Sequence, residues 1–241
     1  MGLTIHYKLS VAKNLSAAVV RELAKRTALY ARKIGCAEAG EVMRVEADMP
    51  FTSLFVRSGR EEEGCFGLVP AKRGWVVEVW PGEGCESALF GLCQYPRRIP
   101  FRSGSIPTGF KGGWLLTGFC KTQYAGKHGW EHFVKCHRQI ISLLDFWRQL
   151  GVLVEVTDEG EYWLTRSEEK LRSKLQQYDG LVAAVGGMLK DASADDRGLS
   201  VVSPIFDYVN FERLEHEGQR EFGGQMAQLQ NEVHKGLNLE A

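Results

Sequence analysis

The sequence predicts an α+β protein in which helices pack mainly on one face of a mixed or antiparallel sheet. Two β-α-β patterns, over about 3–47 and 114–157, support this class, and a long segment over 81–113 separates them. The chain has 241 residues, of which 44% are hydrophobic, so it can bury a core without disulfide bonds. The two patterns suggest two ferredoxin-like β-α-β halves, although no sequence repeat marks a duplication.

The first β-α-β pattern opens with a strand, because apolar and polar residues alternate from Leu3 to Ser10. Asn14 or Ser16 can cap the helix that follows, and Gly35 is suited to end it. Two further strands are predicted, over Glu41–Glu46 and Leu54–Arg57. One helix therefore has at least three strands against which it can pack.

The centre of the chain combines one clear strand with a long irregular stretch. Trp75–Trp80 is rich in Val and Trp, which is typical of a strand. The segment 81–113 is rich in Pro and Gly and is predicted to be a loop, with a short helix over Glu86–Cys93. Loops of this length in a compact domain often carry function.

The second β-α-β pattern consists of a strand over Trp114–Tyr124, a helix over Glu131–Leu150 and a strand over Val152–Val156. A short strand, Tyr162–Leu164, is expected next. Thr165 and Glu168 then form a capping box that begins a helix reaching about Lys190. We therefore expect one domain over 1–200 and a C-terminal extension over 201–241 of short helices or partly disordered chain.

The charge is distributed unevenly, although the net charge of the chain is zero. Residues 87–154 carry a net charge of +7 and residues 155–241 carry −8, and no Asp or Glu occurs between Ser87 and Trp130. Separation of this kind bears on partners or on contacts between segments rather than on the fold. The basic centre could bind an external anion, or it could pair with the acidic final third of the same chain.

Cations in the central segment alternate with aromatic residues, and this combination predicts binding of an anionic, phosphate-bearing ligand, either a nucleotide or a nucleic acid. Cations neutralise phosphates, and aromatic rings stack on bases. The candidate ligand-binding residues are Arg97, Arg98, Arg102, Lys111, Lys121, Gln123 and Tyr124.

A hydrolase is the first alternative, and whether the protein is an enzyme is left open. His137 lies within the apolar stripe of the second helix, where it is either a core histidine or a general base. Cys85 follows a Gly-rich turn, where a thiol could act as a nucleophile. The acidic turn Asp158–Glu159 could supply an acid or a base. His132 and Cys136 are four residues apart, so they share a helix face and could bind a metal together with Cys85 or Cys120.

The second alternative is a non-enzymatic interaction or structural module, whose central segment docks a protein partner. No CxxC pair occurs among the six cysteines, so no metal site is assigned, and no cofactor is indicated. The chain shows neither a long apolar run nor a signal-peptide pattern, which favours a cytoplasmic protein with free thiols and no membrane contact. The oligomeric state is not predicted.

Overall fold

A computed structural model describes residues 3–11, 15–46, 49, 52–57, 66–101, 104–110, 112–194 and 201–222. It confirms the α+β class: a seven-stranded sheet carries its helices on one face. The strands are β1 (Thr4–Val11), β2 (Glu38–Ala39), β3 (Met43–Val45), β4 (Leu54–Arg57), β5 (Phe66–Val69), β6 (Arg73–Trp80), β7 (Ala88–Gln94), β8 (Arg98–Phe101), β9 (Gly104–Pro107), β10 (Trp114–Lys121) and β11 (Leu153–Asp158). The helices are α1 (Ala17–Lys33), α2 (Trp130–Gln149), α3 (Tyr162–Thr165) and α4 (Glu168–Ala194).

The main sheet has the strand order β11-β1-β10-β7-β6-β2, and β3 also pairs with β6. All these pairs are antiparallel. β4 and β5 form a separate hairpin, as do β8 and β9. The two predicted β-α-β patterns thus contribute to one continuous sheet, because β1 from the first pattern lies between β10 and β11 from the second.

The helices α1 and α2 cover one face of this sheet. Their apolar sides share a core with side chains such as Ile5, Leu9, Val77 and Phe90. Ser16 caps α1 by accepting a hydrogen bond from the backbone of Val19, so of the two predicted caps Ser16 is the one used.

The described residues that cover the other face of the sheet lie at one end of it. There Leu54 and Val69 of the β4–β5 hairpin pack with Val76, Cys93 and Tyr95 in a second, smaller core. The Tyr95 hydroxyl donates a hydrogen bond to the carbonyl of Thr52 and ties the hairpin to the sheet. Beyond this smaller core the sheet face carries polar and aromatic side chains that water can reach.

Three predictions of secondary structure are wrong. The predicted loop over 81–113 contains β7, β8 and β9, and the helix predicted over Glu86–Cys93 is mostly replaced by β7. β7 is buried almost throughout, and a short apolar run without alternation does not distinguish a strand from a helix. The strand predicted at Tyr162–Leu164 is the short helix α3, which lies between Glu161 and Arg166, both with left-handed backbone.

After β10, the residues Gln123–His128 form a 3-10 helix that leads into α2. A second 3-10 helix, Pro204–Asp207, and the helical residues 211–222 pack against α4. Residues 223–241, part of the predicted extension, lie outside the described residues. Among the helices that are described, none has both the length and the apolar character needed to span a membrane.

Candidate functional site

The predicted catalytic residues His137 and Asp158 lie together beneath the surface. His137 Nε2 is 3.4 Å from the Asp158 carboxylate, and His137 Nδ1 is 2.9 Å from the Thr122 hydroxyl. The side chains of His137 and Asp158 are 0% and 1% exposed. Both imidazole nitrogens are therefore occupied by protein groups, and no substrate atom can reach them in this arrangement.

The surroundings of Asp158 favour its charged form. Burial raises the pKa of this carboxyl, but the hydrogen bond and charge of His137 and the backbone N–H groups of Trp163 and Gly160 outweigh burial, so the pKa is lowered. Each of the two N–H donors lies 2.8 Å from a carboxylate oxygen. The pair thus ties the end of β11 to α2 and to the start of α3. The neighbouring Glu159 accepts a hydrogen bond of 2.7 Å from the backbone N–H of Thr4.

Gln123, predicted to bind a ligand, is fully buried. Its side-chain oxygen accepts from the backbone N–H of Leu3, and its amide nitrogen donates to Asp179 over 2.8 Å. Burial raises the pKa of Asp179 to about 7, and the hydrogen bond from Gln123 opposes this increase only in part. Gln123 therefore joins β1 to α4 and does not face solvent.

Cys85 lies beside the helix α2, apart from the His137–Asp158 pair. Its thiol shares a hydrogen bond with the sulfur of Cys136, and Cys136 Sγ is 3.6 Å from His132 Nε2. Cys85 thus lies near the His132–Cys136 pair, with which it was considered as a metal ligand. Within the described residues, no three His, Cys, Asp or Glu side chains are arranged to hold a metal ion.

Two of the predicted arginines, Arg97 and Arg98, are described, and they lie at the start of the β8–β9 hairpin. Arg98 donates to the hydroxyl and the carbonyl of Ser105, so its guanidinium stabilises that hairpin. Arg97 Nη2 lies 3.5 Å from the position that a Cβ atom on Gly112 would occupy. Arg102 and Lys111 lie outside the described residues.

The open face of the sheet forms a cleft that the sequence did not indicate as a whole. Its volume is about 770 Å³, its floor is formed by β1, β10 and β11, and Phe110 and Leu54 contribute to its walls. A neighbouring cavity of about 400 Å³ continues along Lys8, Phe110 and the backbone of Gly112 and Gly113. On the other side, a third cavity of about 360 Å³ begins at Phe119. We call these three connected cavities the open-face cleft.

The register of the strands orders the side chains on the floor of the open-face cleft. His6 lies opposite both Phe119 on β10 and Thr157 on β11, and Lys8 lies opposite Thr117 and Glu155. Successive rows are about 6.6 Å apart, because every second residue of a strand faces the same side. The floor is therefore a regular array in which a row of rings adjoins a row of polar groups.

The ring row consists of His6 and Phe119. Their ring centroids are 6.2 Å apart with an interplanar angle of 39°, and Phe119 is 54% exposed although it lies in a central strand. Gly118, next to Phe119, has no room for a side chain: a Cβ atom there would lie 2.5 Å from the Tyr7 ring, which passes beneath it on the helix-covered side. The Tyr7 hydroxyl donates to the carbonyl of Leu89 and is thereby held in place.

A cation flanks the ring row on each side. Lys8 lies one row away on β1 and pairs with Glu155 over 2.8 Å. Lys121 lies two residues after Phe119, pairs with Glu86 over 3.6 Å and lies 5.8 Å from the Tyr124 ring centroid. Because every second residue of β10 faces the same side, Lys121 lies beside the ring row, and it is one of the residues predicted to bind a ligand. His6 and Lys8 were missed, because they precede the basic segment and join it only through strand pairing.

The comparisons with known proteins give no further information about this site. Neither a protein-family model, nor a curated protein, nor a solved structure matches the chain.

Proposed function

We propose that the protein binds single-stranded nucleic acid along the open-face cleft. The observation that carries the proposal is the exposed cross-strand pair His6–Phe119 on the floor of a cleft of about 770 Å³. Aromatic faces exposed on adjacent strands of an antiparallel sheet can stack on unpaired bases, and this arrangement is a recurrent way of binding single strands. Phe119 projects from a central strand into this cleft beside His6, where an unpaired base could stack on the rings.

The length of the cleft favours an oligonucleotide over a mononucleotide. Three cavities follow one another across the face, and the ring row lies between a cavity lined by Leu89 and one lined by Lys8. Lys8 and Lys121 lie beside the ring row, where they would meet phosphates on either side of a stacked base. Binding would then exchange the carboxylates of Glu155 and Glu86 for phosphate groups, which makes affinity depend on salt.

The element order supports the same proposal at the level of architecture. When β2 to β6, β8 and β9 are set aside, the chain runs β1-α1-β7-β10-α2-β11, which is a β-α-β-β-α-β order. We therefore propose one ferredoxin-like unit with inserted strands rather than two halves. The described cysteines, Cys36, Cys85, Cys93, Cys120 and Cys136, are free thiols, which supports a reducing, cytoplasmic location.

The test compares the wild-type protein with Phe119→Ala, using fluorescence anisotropy of short labelled oligo(U) RNA and oligo(dT) DNA. Loss of one stacked base costs about 1–3 kcal/mol, so the Kd should rise roughly 5- to 150-fold. Leu164→Ala is the matched control, because Leu164 is 84% exposed on α3, away from the cleft. A duplex of the same sequence should bind weakly, and the RNA and DNA arms show which single strand is preferred.

Two results would refute the proposal. One is the absence of binding of either single strand at low salt. The other is binding that Phe119→Ala and Leu164→Ala weaken equally, because the ring row would then have no specific part in it.

A further inference from the structure

We propose that Cys85 and Cys136 form an oxidation site, at which hydrogen peroxide converts two thiols into a reversible disulfide bond. The proposal does not depend on nucleic-acid binding, because this thiol pair lies on the helix-covered side of the sheet. It rests on the contacts that surround the sulfur of Cys136.

His132 and Cys85 both lie against that sulfur. His132 Nε2 is 2.9 Å from the carbonyl oxygen of Glu83, which can only accept, so Nε2 carries a hydrogen and donates it to that carbonyl. The same nitrogen is 3.6 Å from Cys136 Sγ, so the His132 ring contacts the sulfur but has no second hydrogen on Nε2 to give it. The Cys85 thiol is the hydrogen-bond donor to Cys136, and a donor stabilises its acceptor as an anion.

The titration of the pair agrees with this geometry. The hydrogen bond from Cys85 lowers the pKa of Cys136 to about 7, with burial opposing the shift and the charges of His132 and Lys135 supporting it. The pKa of Cys85 is raised, because its hydrogen bond to Cys136 and its burial both hold it in the thiol form. Cys136 is therefore the nucleophile, and Cys85 is the resolving thiol.

The turn that carries Cys85 is held in place on several sides. The Cys85 N–H donates to the carbonyl of Gly82, and the Trp80 indole donates to the carbonyl of Cys85. A Cβ atom on Gly82 would lie 3.0 Å from Cys136 Sγ, so the absence of a side chain lets the turn approach the sulfur. The pair is thus positioned before any oxidant arrives. Cys136 itself is fully buried, whereas Cys85 is partly exposed and is the side from which a small peroxide would enter.

The reaction balances in two steps. The Cys136 thiolate attacks one peroxide oxygen, an S–O bond forms and the O–O bond breaks, and the departing hydroxide takes up a proton to leave a sulfenic acid and water. The sulfur of Cys85 then attacks the Cys136 sulfur, an S–S bond forms and the S–O bond breaks, and the departing hydroxide leaves as water with the Cys85 proton. Two thiols lose two electrons, and one peroxide becomes two waters.

The test treats the full chain with hydrogen peroxide, blocks the remaining thiols and maps tryptic peptides by mass spectrometry. Cys136 lies in the tripeptide 136–138, whereas Cys85 and Cys93 share the peptide 74–97. Cys93→Ser is therefore the matched control, and it should keep the link that Cys85→Ser and Cys136→Ser lose. In Cys85→Ser, dimedone added together with the denaturant that stops the reaction should trap the sulfenic acid on Cys136, which is buried in the folded protein.

Two further measurements test the mechanism. His132→Gln should slow disulfide formation by roughly two- to fivefold. In this variant a smaller fraction of Cys136 is in the thiolate form, but a thiolate whose pKa is higher is more nucleophilic, and this offsets part of the loss. The rate in the wild type should rise through about pH 7, as the thiolate forms. The proposal is overturned if the 85–136 link stays absent while partly exposed Cys36 is already oxidised, or if the link to peptide 74–97 persists in Cys85→Ser.

Discussion

Replacement of Asp179 by Asn should stabilise the protein, and the gain should grow with pH. Asp179 is 7% exposed, and its described side-chain hydrogen bond comes from the amide of Gln123. An Asn oxygen can accept the same bond without bringing a charge into the interior. The neutral form is the one that the fold favours, since burial raises the pKa of the carboxyl from 3.8 to about 7.

The magnitude follows from this difference in pKa. The raised pKa of Asp179 means that its contribution to stability is fully present below the unfolded-state pKa of this carboxyl. That contribution is lost as the pH rises from the unfolded-state pKa through the folded-state pKa. A shift of roughly three pKa units corresponds to about 4 kcal/mol of lost stability above about pH 7. About 1.6 kcal/mol of this is already lost at about pH 5, so the advantage of Asp179→Asn should increase by about 2–3 kcal/mol between about pH 5 and pH 8.

Urea denaturation followed by circular dichroism at the two pH values measures this quantity. Asp145→Asn is the matched control, because Asp145 pairs with Arg148 and Arg166 near the surface. Its replacement should destabilise the protein slightly at both pH values. An advantage of Asp179→Asn that is equal at both pH values, or absent, would refute the reasoning about its burial.

Three further predictions concern other contacts. Asp158→Ala should lower the free energy of unfolding by about 3 kcal/mol at neutral pH, because it leaves buried His137 and two backbone N–H groups without their acceptor; a loss below 1 kcal/mol would contradict this. Gly118→Ala should lower the free energy of unfolding by about 2 kcal/mol, because the added methyl group displaces the Tyr7 ring, whereas Gly104→Ala, which has open space, should lower it much less. Equal losses in melting experiments would show that the Tyr7 ring is not confined beside Gly118. Lys8→Ala should reduce the slope of log Kd against log salt for single-stranded nucleic acid by about one, and an unchanged slope would exclude a phosphate contact at Lys8.

Much of the helical framework is predictable from local chemistry. Ser16 caps α1, and Gly35 and Gly151 follow α1 and α2 with left-handed backbone, as expected of residues that end helices. β7 escaped prediction because both of its faces are buried, so its sequence lacks the alternation that identifies a half-covered strand.

The candidate site was only partly predictable, for a different reason. Phe119 is one of the aromatic residues of the basic segment, but its partner His6 lies near the start of the chain. Their contact depends on the register between β1 and β10, and register is a property of the assembled sheet. The alternation of β10 gave one indication that Phe119 is exposed. Phe119 lies two residues after exposed Thr117 and so on the same side of the strand, whereas Cys120 lies on the buried side.

The alternation along β1 and β10 has a consequence for how this protein can change. Residues that determine stability and residues available to a ligand occupy alternate positions on the same strands. A substitution on the open side of a strand therefore leaves the side chains on its buried side unchanged. His6, Thr117 and Phe119 can therefore be varied in a library without removing Ile5, Leu9 or Cys120 from the core. The open face is a surface on which new binding preferences can be selected while the fold stays the same.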